Sequence, residues 1–435
     1  MRKIELGVCT ALAALILGGG ACAQQADVPP SELPAEPPGA LTPPSTEGPT
    51  PQAVFGAVAE QVINATVIAP SVNLVYDSNI ARSSAQVAAQ RGLKLSDEIA
   101  EPALALNLAR VFGRESVTLK GIAGYDFYRS NTQLDRQHID LAAGVNAALL
   151  RCGEGVNVEY SSQQSDLTQQ SIRVVRNTRS NTVLGASLGC GGAIGLAPNA
   201  SVSQIWSTNS NGFAKAGNSN SFSANAGVSY RRPSLGSISL FGSYSKTTYP
   251  GLLLIGPGLR QGYGYTLYAG GVSLFRHTGS RLEGSASLSF TSLNPETAGS
   301  NKFQGLTYSL SVIYHVNSRI YVEGLTSRQT TPSNRVGSNF SIDESYGVDA
   351  SFSASSRLSF LAGGNISRNN YNVVAPTLFM DLTKQELYSA FQTANYQLTR
   401  RLHLNLSISE TKRTANFPGL SYTGERVTLG VQAVF

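Results

Sequence analysis

Apolar and polar residues alternate with a period of two through most of this sequence, and this alternation constrains its fold more than any other feature. The clearest case is the carboxyl-terminal segment, where every second residue is apolar: Val427, Leu429, Val431, Ala433 and Phe435. The same alternation recurs in segments 139–149, 306–314 and 402–409. A period of two is typical of β-strands with one apolar and one polar face. The sequence therefore predicts a protein built from two-faced strands.

The length of these segments favours strands that cross a membrane. They run for roughly 10 to 15 residues, longer than the five or six typical of globular sheets but suited to tilted membrane-spanning strands. Short turns are predicted at 112–114, 151–154, 190–195, 231–236, 276–280, 315–319, 354–357 and 398–401. Longer loops are predicted at 78–97, 131–135, 166–176, 209–217, 249–260, 294–300, 330–339, 372–381 and 412–420. Short turns on one side and long loops on the other are typical of transmembrane barrels.

Counting these connections predicts the number of strands. Eight turns and nine loops require 18 strands. The alternative is 16 strands, if the region 191–207, where glycines and a proline obscure the alternation, is one strand divided in error. The predicted fold is an all-β, transmembrane, antiparallel up-and-down barrel with short periplasmic turns and longer extracellular loops. A barrel of this size is too wide for its own side chains to fill, so we expect a hydrated lumen.

Composition argues against soluble and helical alternatives. Charged residues make up 14% of the chain, about half the usual share, which is too few to cover the outer faces of a soluble β-sandwich. After the first 20 residues no apolar run is long enough for a membrane-spanning helix. The net charge of +6 comes without a basic run, so the sequence predicts no nucleic-acid partner.

The amino-terminal region predicts export from the cytoplasm. Arg2 and Lys3 precede an apolar stretch and the small-residue sequence Ala-Cys-Ala, so residues 1–23 are interpreted as a signal peptide. Acylation of Cys22 is the alternative. Nine of the 19 prolines fall within 29–51, and residues 24–63 are interpreted as a largely disordered periplasmic extension. The barrel is assigned to 64–435.

Two of the four cysteines remain after removal of the signal peptide, Cys152 and Cys190. The predicted strands place both at the periplasmic rim, Cys152 entering the fifth strand and Cys190 leaving the sixth. Paired strands bring Cα atoms within the range that a disulfide needs, and the periplasm is oxidising. A disulfide is therefore the favoured interpretation, with two free thiols as the alternative.

Strand parity also predicts which polar side chains line the lumen. The candidates are Lys120, Asp126, Asp140, Glu159, Arg281, Glu283, Glu323, Lys384, His403, Asn405 and Arg426. Both signs of charge occur among them, and the net positive charge of the whole chain favours a mild preference for anions.

The sequence offers no arrangement suited to catalysis. His403, Asn405 and Ser407 share one strand face, but alternate residues of a strand are about 7 Å apart, too far for a nucleophile to bond its base directly. The four histidines lack metal-ligand spacing with cysteines or carboxylates. We therefore predict a protein that is not an enzyme and that has no cofactor or metal.

Two short motifs resemble known outer-membrane proteins. The alternating apolar residues that end in Phe435 resemble the carboxyl-terminal signature that the barrel-assembly machinery recognises. The hexapeptide Val75-Tyr76-Asp77-Ser78-Asn79-Ile80 resembles the first strand of an outer-membrane β-barrel porin family of proteobacteria, many of whose members accompany exopolysaccharide genes. The resemblance implies a location in the outer membrane, surrounded by its lipid.

The expected function is a porin-like channel for passive diffusion of small polar solutes or for polysaccharide export. The alternative is a non-conducting barrel that serves as a structural or secretion partner of periplasmic polysaccharide export components. A homo-oligomer is compatible with either function.

Overall fold

Eighteen antiparallel strands form a single closed sheet, as the alternation and the connections predict. This computed structural model describes residues 64–149, 152–164, 177–192, 194–256, 259–296, 301–332, 338–373, 382–416 and 418–435. The signal peptide and the proline-rich extension lie outside the described residues. Each strand pairs with its neighbours in the chain, and β1 also pairs with β18. The predicted up-and-down barrel of 18 strands is confirmed.

The strands are 12 to 21 residues long. Their bounds are β1 Ala65–Asp77, β2 Asp97–Phe112, β3 Glu115–Tyr128, β4 Arg136–Leu149, β5 Cys152–Gln164, β6 Thr178–Cys190, β7 Gly195–Asn209, β8 Ser219–Arg232, β9 Gly236–Gly256, β10 Leu259–Thr278, β11 Leu282–Pro295, β12 Phe303–Asn317, β13 Ile320–Pro332, β14 Ser338–Ser353, β15 Leu358–Val373, β16 Lys384–Gln397, β17 Leu402–Ala415 and β18 Tyr422–Ala433.

The described helices are short and lie in the extracellular loops. They are α1 Ala85–Gln90 and the 3₁₀ turns Thr132–Leu134, Gly212–Gly217 and Pro418–Leu420. Among the described residues, no helix has the length and apolar character needed to span a membrane.

Every predicted short turn marks a junction between two strands, although strand ends overlap several of them: in the predicted turn 151–154, β5 already begins at Cys152. The predicted loop 166–176 lies outside the described residues, and the loop predicted at 249–260 is wrong. The sequence predicts a polar connection at 249–260, whereas β9 extends to Gly256 and β10 begins at Leu259, so the described part of this segment is a pair of strands. The run Leu252–Ile255 is apolar, and its backbone continues the β9–β10 ladder beyond an irregularity between Gly262 and Tyr263. Beyond the membrane, water can hydrogen-bond the outward backbone groups of the two strands, so the pair extends past the predicted end without further neighbours.

Exposed apolar side chains cover the outer face of the barrel. Leu196, Leu240 and Leu288 are examples from three strands, each more than half exposed. The residues that alternate with them are mostly small or polar and face the lumen. A closed barrel satisfies its backbone hydrogen bonds internally, and an apolar exterior of this kind suits lipid.

The seam between β1 and β18 is the shortest ladder of the barrel wall. Seven residue pairs join Ser71–Asp77 to Arg426–Gln432. Towards the periplasm, Ile68 and Phe435 exchange two backbone hydrogen bonds of 3.0 and 3.1 Å. Towards the extracellular side, Ser78 accepts from the Glu425 amide through its hydroxyl and donates to the Glu425 carbonyl through its own amide. The residues just after β1 therefore extend the seam beyond its ladder.

Candidate functional site: the lumen and its mouth

The pairing registers show which predicted side chains face the lumen, since directly opposed residues of neighbouring strands share a face. Strand β1 serves as the reference: the exposed Leu74 and Tyr76 point outward, and the buried Val75 between them points inward. Followed around the sheet, the registers place nine candidates on the inner face: Lys120, Asp126, Asp140, Glu159, Glu283, Glu323, His403, Asn405 and Arg426.

Two candidates lie elsewhere. Lys384 is the first residue of β16 and pairs with Asn370, on the outer face that also carries Tyr388. Its ammonium group is 3.3 Å from the Glu386 carboxylate on the same face. Its expected position in the lumen is therefore corrected. Arg281 lies exposed in the periplasmic turn before β11, not within a strand.

The charge on the lumen wall differs from the charge of the whole chain. Sequence parity missed several charged residues on the inner face. They include the carboxylates Glu101 on β2 and Asp343 and Asp349 on β14, and the arginines Arg136 on β4, Arg179 on β6 and Arg413 on β17. Asp349 pairs directly with Glu323 across β13 and β14, so two carboxylates meet on the wall. Many other arginines occupy the periplasmic turns and strand ends: Arg114, Arg231, Arg232, Arg276, Arg281, Arg319, Arg357, Arg400 and Arg401. The net positive charge of the chain is therefore no guide to the charge that a solute meets inside.

Ion pairs join inward-facing side chains of different strands close to the β1–β18 seam. Arg426 on β18 contacts Glu101 on β2 at 3.0 Å, reaching across the intervening β1. Beside them, a ring nitrogen of His138 lies 2.8 Å from an Asp126 carboxylate oxygen. These contacts hold carboxylates at this part of the wall close to basic groups. The pair Glu323 and Asp349, by contrast, receives one hydroxyl contact, from Ser311 to Glu323 at 2.9 Å.

The first extracellular loop, residues 78–96, folds into the mouth of the barrel. Its apolar side chains pack against the inward-facing side chains of β1 and β2 in one buried cluster: Val75, Ile80, Ala81, Ala88, Leu93, Ile99 and Leu134. Burial of each large aliphatic side chain contributes roughly 1.5–3 kcal/mol. The loop is therefore held inside by a small hydrophobic core of its own. The exposed face of its helix α1 carries alanines and glutamines.

A buried ion pair fixes the start of this loop. The Arg82 guanidinium donates to both carboxylate oxygens of Asp77, at 2.6 and 3.2 Å, and the Asp77 side chain is fully buried. The Asn79 amide also donates to Asp77, and the Asn79 side chain donates to the Ser83 and Thr423 carbonyls. Arg82 has a φ of +49°, a conformation that costs energy in a residue with a side chain. The hexapeptide quoted for the family resemblance thus anchors the loop.

The other end of the loop is fixed by Asp97 and Asn131. Asp97 accepts hydrogen bonds from the Ser130 and Asn131 amides and from the Asn131 side chain, all between 2.7 and 2.9 Å. Asn131 in turn exchanges hydrogen bonds with the Lys94 backbone. Nearby at the surface, the hydrogen bond from Arg129 to Glu98 raises the pKa of the Arg129 guanidinium.

A second element also enters the mouth, and we call it the inner hairpin: residues 329–332 of β13 and 338–342 of β14. The β12–β13 ladder stops at Tyr308 and Arg328, whereas β13 and β14 stay paired up to Pro332 and Phe340. The inner hairpin therefore separates from β12.

Aromatic contacts show the direction in which the inner hairpin turns. The Phe340 ring lies 5.7 Å from the ring of Phe303, which faces the lumen on β12. Phe340 is buried, although strand parity would place it on the outer face beside exposed Val348. Its cluster consists of Leu293, Phe303 and Phe340, with Tyr265, Leu267 and Ile342 packed against it. The inner hairpin thus lies inside the barrel, on the lumen side of β10–β12.

The two inward elements enter from opposite sides of the mouth. The first loop packs on β1–β3 and the inner hairpin on β10–β12, half a circuit apart in a sheet of 18 strands. Sequence reasoning missed both, because alternation describes single strands and not how a loop or a hairpin packs on the inner faces of other strands. The only local signal was the hexapeptide at the end of β1.

A row of serines in direct register crosses the lumen face of eight consecutive strands, and we call it the serine row. Its members, from β8 to β15, are Ser229, Ser239, Ser273, Ser287, Ser309, Ser327, Ser345 and Ser367. Ala197 on β7 and Leu387 on β16 end the row. Among the described strands, the next longest run of inward serines in register has three members, Ser203, Ser223 and Ser245.

The histidine, asparagine and serine on β17 do not bond to one another. Asn405 donates to Asn395 at 2.7 Å, and the Ser407 hydroxyl lies 3.1 Å from that of Thr393. These partners belong to the neighbouring strand and make cross-strand pairs that stabilise a sheet. Within the described residues, no group of three or more metal-ligating side chains comes together.

Cys152 and Cys190 oppose each other at the periplasmic rim and are joined by a disulfide. They share the outer face with Glu154 and Leu188. The bond closes a segment of the chain that contains the β5–β6 loop, with a sequence separation of 38.

Replacing both cysteines with serine is expected to lower the free energy of unfolding by about 4 kcal/mol, because the cross-link restricts the unfolded chain. Urea unfolding of the barrel in lipid vesicles measures this change. Wild-type protein treated with reductant is the control and should match the double variant. Equal unfolding midpoints for oxidised wild type and variant would contradict the expectation.

The carboxyl-terminal part of the chain matches a known family. Residues 257–435 match the model of the family described as "Putative beta-barrel porin 2". The resemblance to β-barrel porins is confirmed over these residues, which span β10 to β18. A search of curated proteins finds no match.

Several solved structures resemble the barrel, each at low sequence identity. OccK2 (OpdF) of Pseudomonas aeruginosa is 11% identical with a TM-score of 0.48, covering 85% of this chain and 97% of its own. A BenF-like porin from Pseudomonas fluorescens Pf-5 is 12% identical with a TM-score of 0.46, covering 85% and 98%. The siderophore receptor PirA from Acinetobacter baumannii is 8% identical with a TM-score of 0.47, covering 86% and 81%.

Proposed function

The chain is a porin-like outer-membrane β-barrel, and we propose that it forms a hydrated channel through which small polar solutes diffuse passively. The observation that carries the proposal is the mostly small and polar inner face of an 18-stranded closed sheet. A barrel of this circumference has more interior than its own side chains fill. The first loop and the inner hairpin narrow the mouth from opposite sides, and the solute passes between them.

Charge on the wall gives this channel a preference for cations over anions. Glu323 and Asp349 form a carboxylate pair on the inner face, and Asp140 and Glu159 face the lumen across the barrel. Among the described residues of the inner face, basic side chains are fewer than carboxylates, and they include Lys120, Arg136, Arg179, Arg413 and Arg426. Rings and clusters of carboxylates select cations in pores.

Single-channel recording of the refolded mature protein in a planar bilayer tests the proposal, with and without residues 24–52. Steady ohmic openings are expected in both forms. Openings only in the shortened form would assign a plugging role to the extension. Silence in both forms, from protein shown to be folded and inserted, would reject the diffusion channel and favour the non-conducting structural or secretion-partner barrel.

The cation preference is tested by replacing Glu323 with glutamine and Asp349 with asparagine together. In a KCl gradient the reversal potential of this variant is expected to move towards that of an unselective pore. Glu410→Gln is the matched control, because Glu410 lies on the outer face of β17 and should leave the reversal potential unchanged. An unaltered reversal potential in the double variant would show that other groups set the selectivity.

Export and assembly complete the proposal. Residues 1–23 act as a signal peptide, and β18 carries the signal for the barrel-assembly machinery. The apolar residues of that signal support this role because they lie together on the outer face: Val427, Leu429, Val431, Ala433 and Phe435.

A further inference from the structure

We propose that the serine row is a binding track for a hydroxyl-rich, uncharged chain such as an oligosaccharide. The inference rests on the proposed channel and names the class of solute that the channel guides. The row contains one serine from each strand of β8 to β15, all on the lumen face and in direct register. Neighbouring strands are about 4.8 Å apart, so hydroxyl groups recur at that interval over roughly 34 Å.

The chemistry of the row matches hydroxyl groups on a solute. A serine hydroxyl donates one hydrogen bond and accepts two, as a sugar hydroxyl also does, so neither partner depends on a fixed direction or charge. Some serines already contact each other: Ser229 and Ser239 at 2.8 Å, and Ser287 and Ser309 at 3.2 Å. A hydroxyl group can take part in more than one hydrogen bond, so a serine in such a contact still has the chemistry that binds a solute hydroxyl. All members except Ser229 are partly accessible to solvent.

The row climbs along the channel instead of circling it at one depth. Ser229 lies three residues from Arg232, the periplasmic end of β8, whereas Ser367 lies nine residues from Leu358, the periplasmic end of β15. Strands of a barrel are tilted and staggered, so a row in register follows a helical path. The serine row therefore leads from the periplasmic rim to the middle of the lumen.

The upper part of the row passes beneath the constriction. The pair Ser309 and Ser327 is one step below Tyr308 and Arg328, the last pair of the β12–β13 ladder before the inner hairpin separates. Ser345 also exchanges hydrogen bonds with the Asn365 amide on β15, at 3.1 and 3.4 Å. A linear solute held along the row is thus brought to the narrowed mouth. The spacing of the row is close to the length of one sugar unit in an extended glycan, so successive units meet equivalent hydroxyls.

Cross-strand serine pairs also stabilise a sheet, which is the structural alternative. The matched control is the shorter inward run Ser203, Ser223 and Ser245, which has the same chemistry but is not part of the row. It contains a serine contact of its own, between Ser223 and Ser245 at 3.2 Å. Triple alanine variants of the two sets therefore remove the same number of hydroxyls from the same wall.

The experiment measures block of ion current by maltohexaose in a planar bilayer. We expect the wild-type channel to show transient sugar block, and the triple variant Ser287→Ala, Ser309→Ala and Ser327→Ala to shorten the residence time by about tenfold or more, since three hydrogen bonds are lost. The control triple should keep the wild-type residence time. A polyethylene glycol of similar size lacks the hydroxyls along its chain, and its block should be equal in all three proteins.

The outcomes separate this proposal from the channel itself. Absence of ionic current would reject the channel, whereas ionic current without maltohexaose block would reject the track alone. Equal shortening of the residence time in both triples would also overturn the track, because any inward hydroxyl would then serve. Thermal unfolding of both triples shows whether a change in block comes from lost stability.

Discussion

Replacing Phe340 with serine is expected to raise the single-channel conductance, because the inner hairpin loses the ring that holds it against the lumen wall. Truncation of a buried phenylalanine costs about 3–5 kcal/mol. Each step of about 1.4 kcal/mol changes an equilibrium constant about tenfold, so this loss lowers the ratio of docked to released hairpin by more than about a hundredfold. The Phe303–Phe340 contact joins the inner hairpin to the lumen face of β12. Its loss should therefore weaken the docking of the hairpin and leave the strand pairing of the barrel wall intact.

Conductance and hydrogen exchange of residues 329–332 and 338–342 measure the effect together. Phe352→Ser is the matched control, since Phe352 lies on the outer face of the same strand and stacks on Phe360, away from the hairpin. It should leave the conductance unchanged. Wild-type conductance in Phe340→Ser, with slow exchange in the hairpin, would show that the hairpin does not depend on this ring.

Replacing Asp77 with asparagine is expected to release the first loop and make it accessible to trypsin. Removal of one partner of a buried ion pair typically costs about 3–5 kcal/mol, since the other charge is left without compensation. Arg82 is the partner here, and its left-handed backbone conformation loses the contact that holds it. Cleavage after Arg82 and Arg91 should therefore become rapid in the refolded protein, and mass spectrometry of the fragments identifies both sites.

The control for this experiment is an ion pair at the surface of the same region. Glu98 and Arg129 are 2.6 Å apart, but both side chains are exposed. Exposed pairs add little to stability, so Glu98→Gln should leave the trypsin pattern unchanged. Resistance of Asp77→Asn to trypsin would assign the anchoring of the loop to its hydrophobic cluster alone.

Local alternation predicted the barrel wall, whereas the mouth depends on packing between a loop, a hairpin and the wall, which alternation does not describe. Strand alternation and turn positions depend on neighbouring residues, so the strand number, the turns and most lumen positions followed from the sequence. Lys384 was placed wrongly because it begins a strand after a long loop, where parity has no reference until the pairing with Asn370 is known. The inner hairpin could not be predicted, since Phe340 follows the parity of an outward residue and turns inward only by packing on Phe303.

The serine row also combines a part that the sequence predicts with a part that it does not. Each serine occupies a position that alternation alone marks as inward, but the row exists only through the registers of seven neighbouring pairs of strands. A shift by two residues in any one pair would preserve every inward assignment and still break the row. Function along the wall is therefore encoded in register, which the sequence leaves open.

The short seam between β1 and β18 has a consequence for the time course of folding. The contact of Ser78 with Glu425 joins residues separated by 347 positions, and contacts of such separation form late because a long loop must close first. Until then, β1 and β18 each present an unpaired edge. The residues that seat the first loop also extend this seam through Ser78 and Asn79. The hexapeptide therefore belongs to the last step of barrel closure as well as to the shape of the mouth.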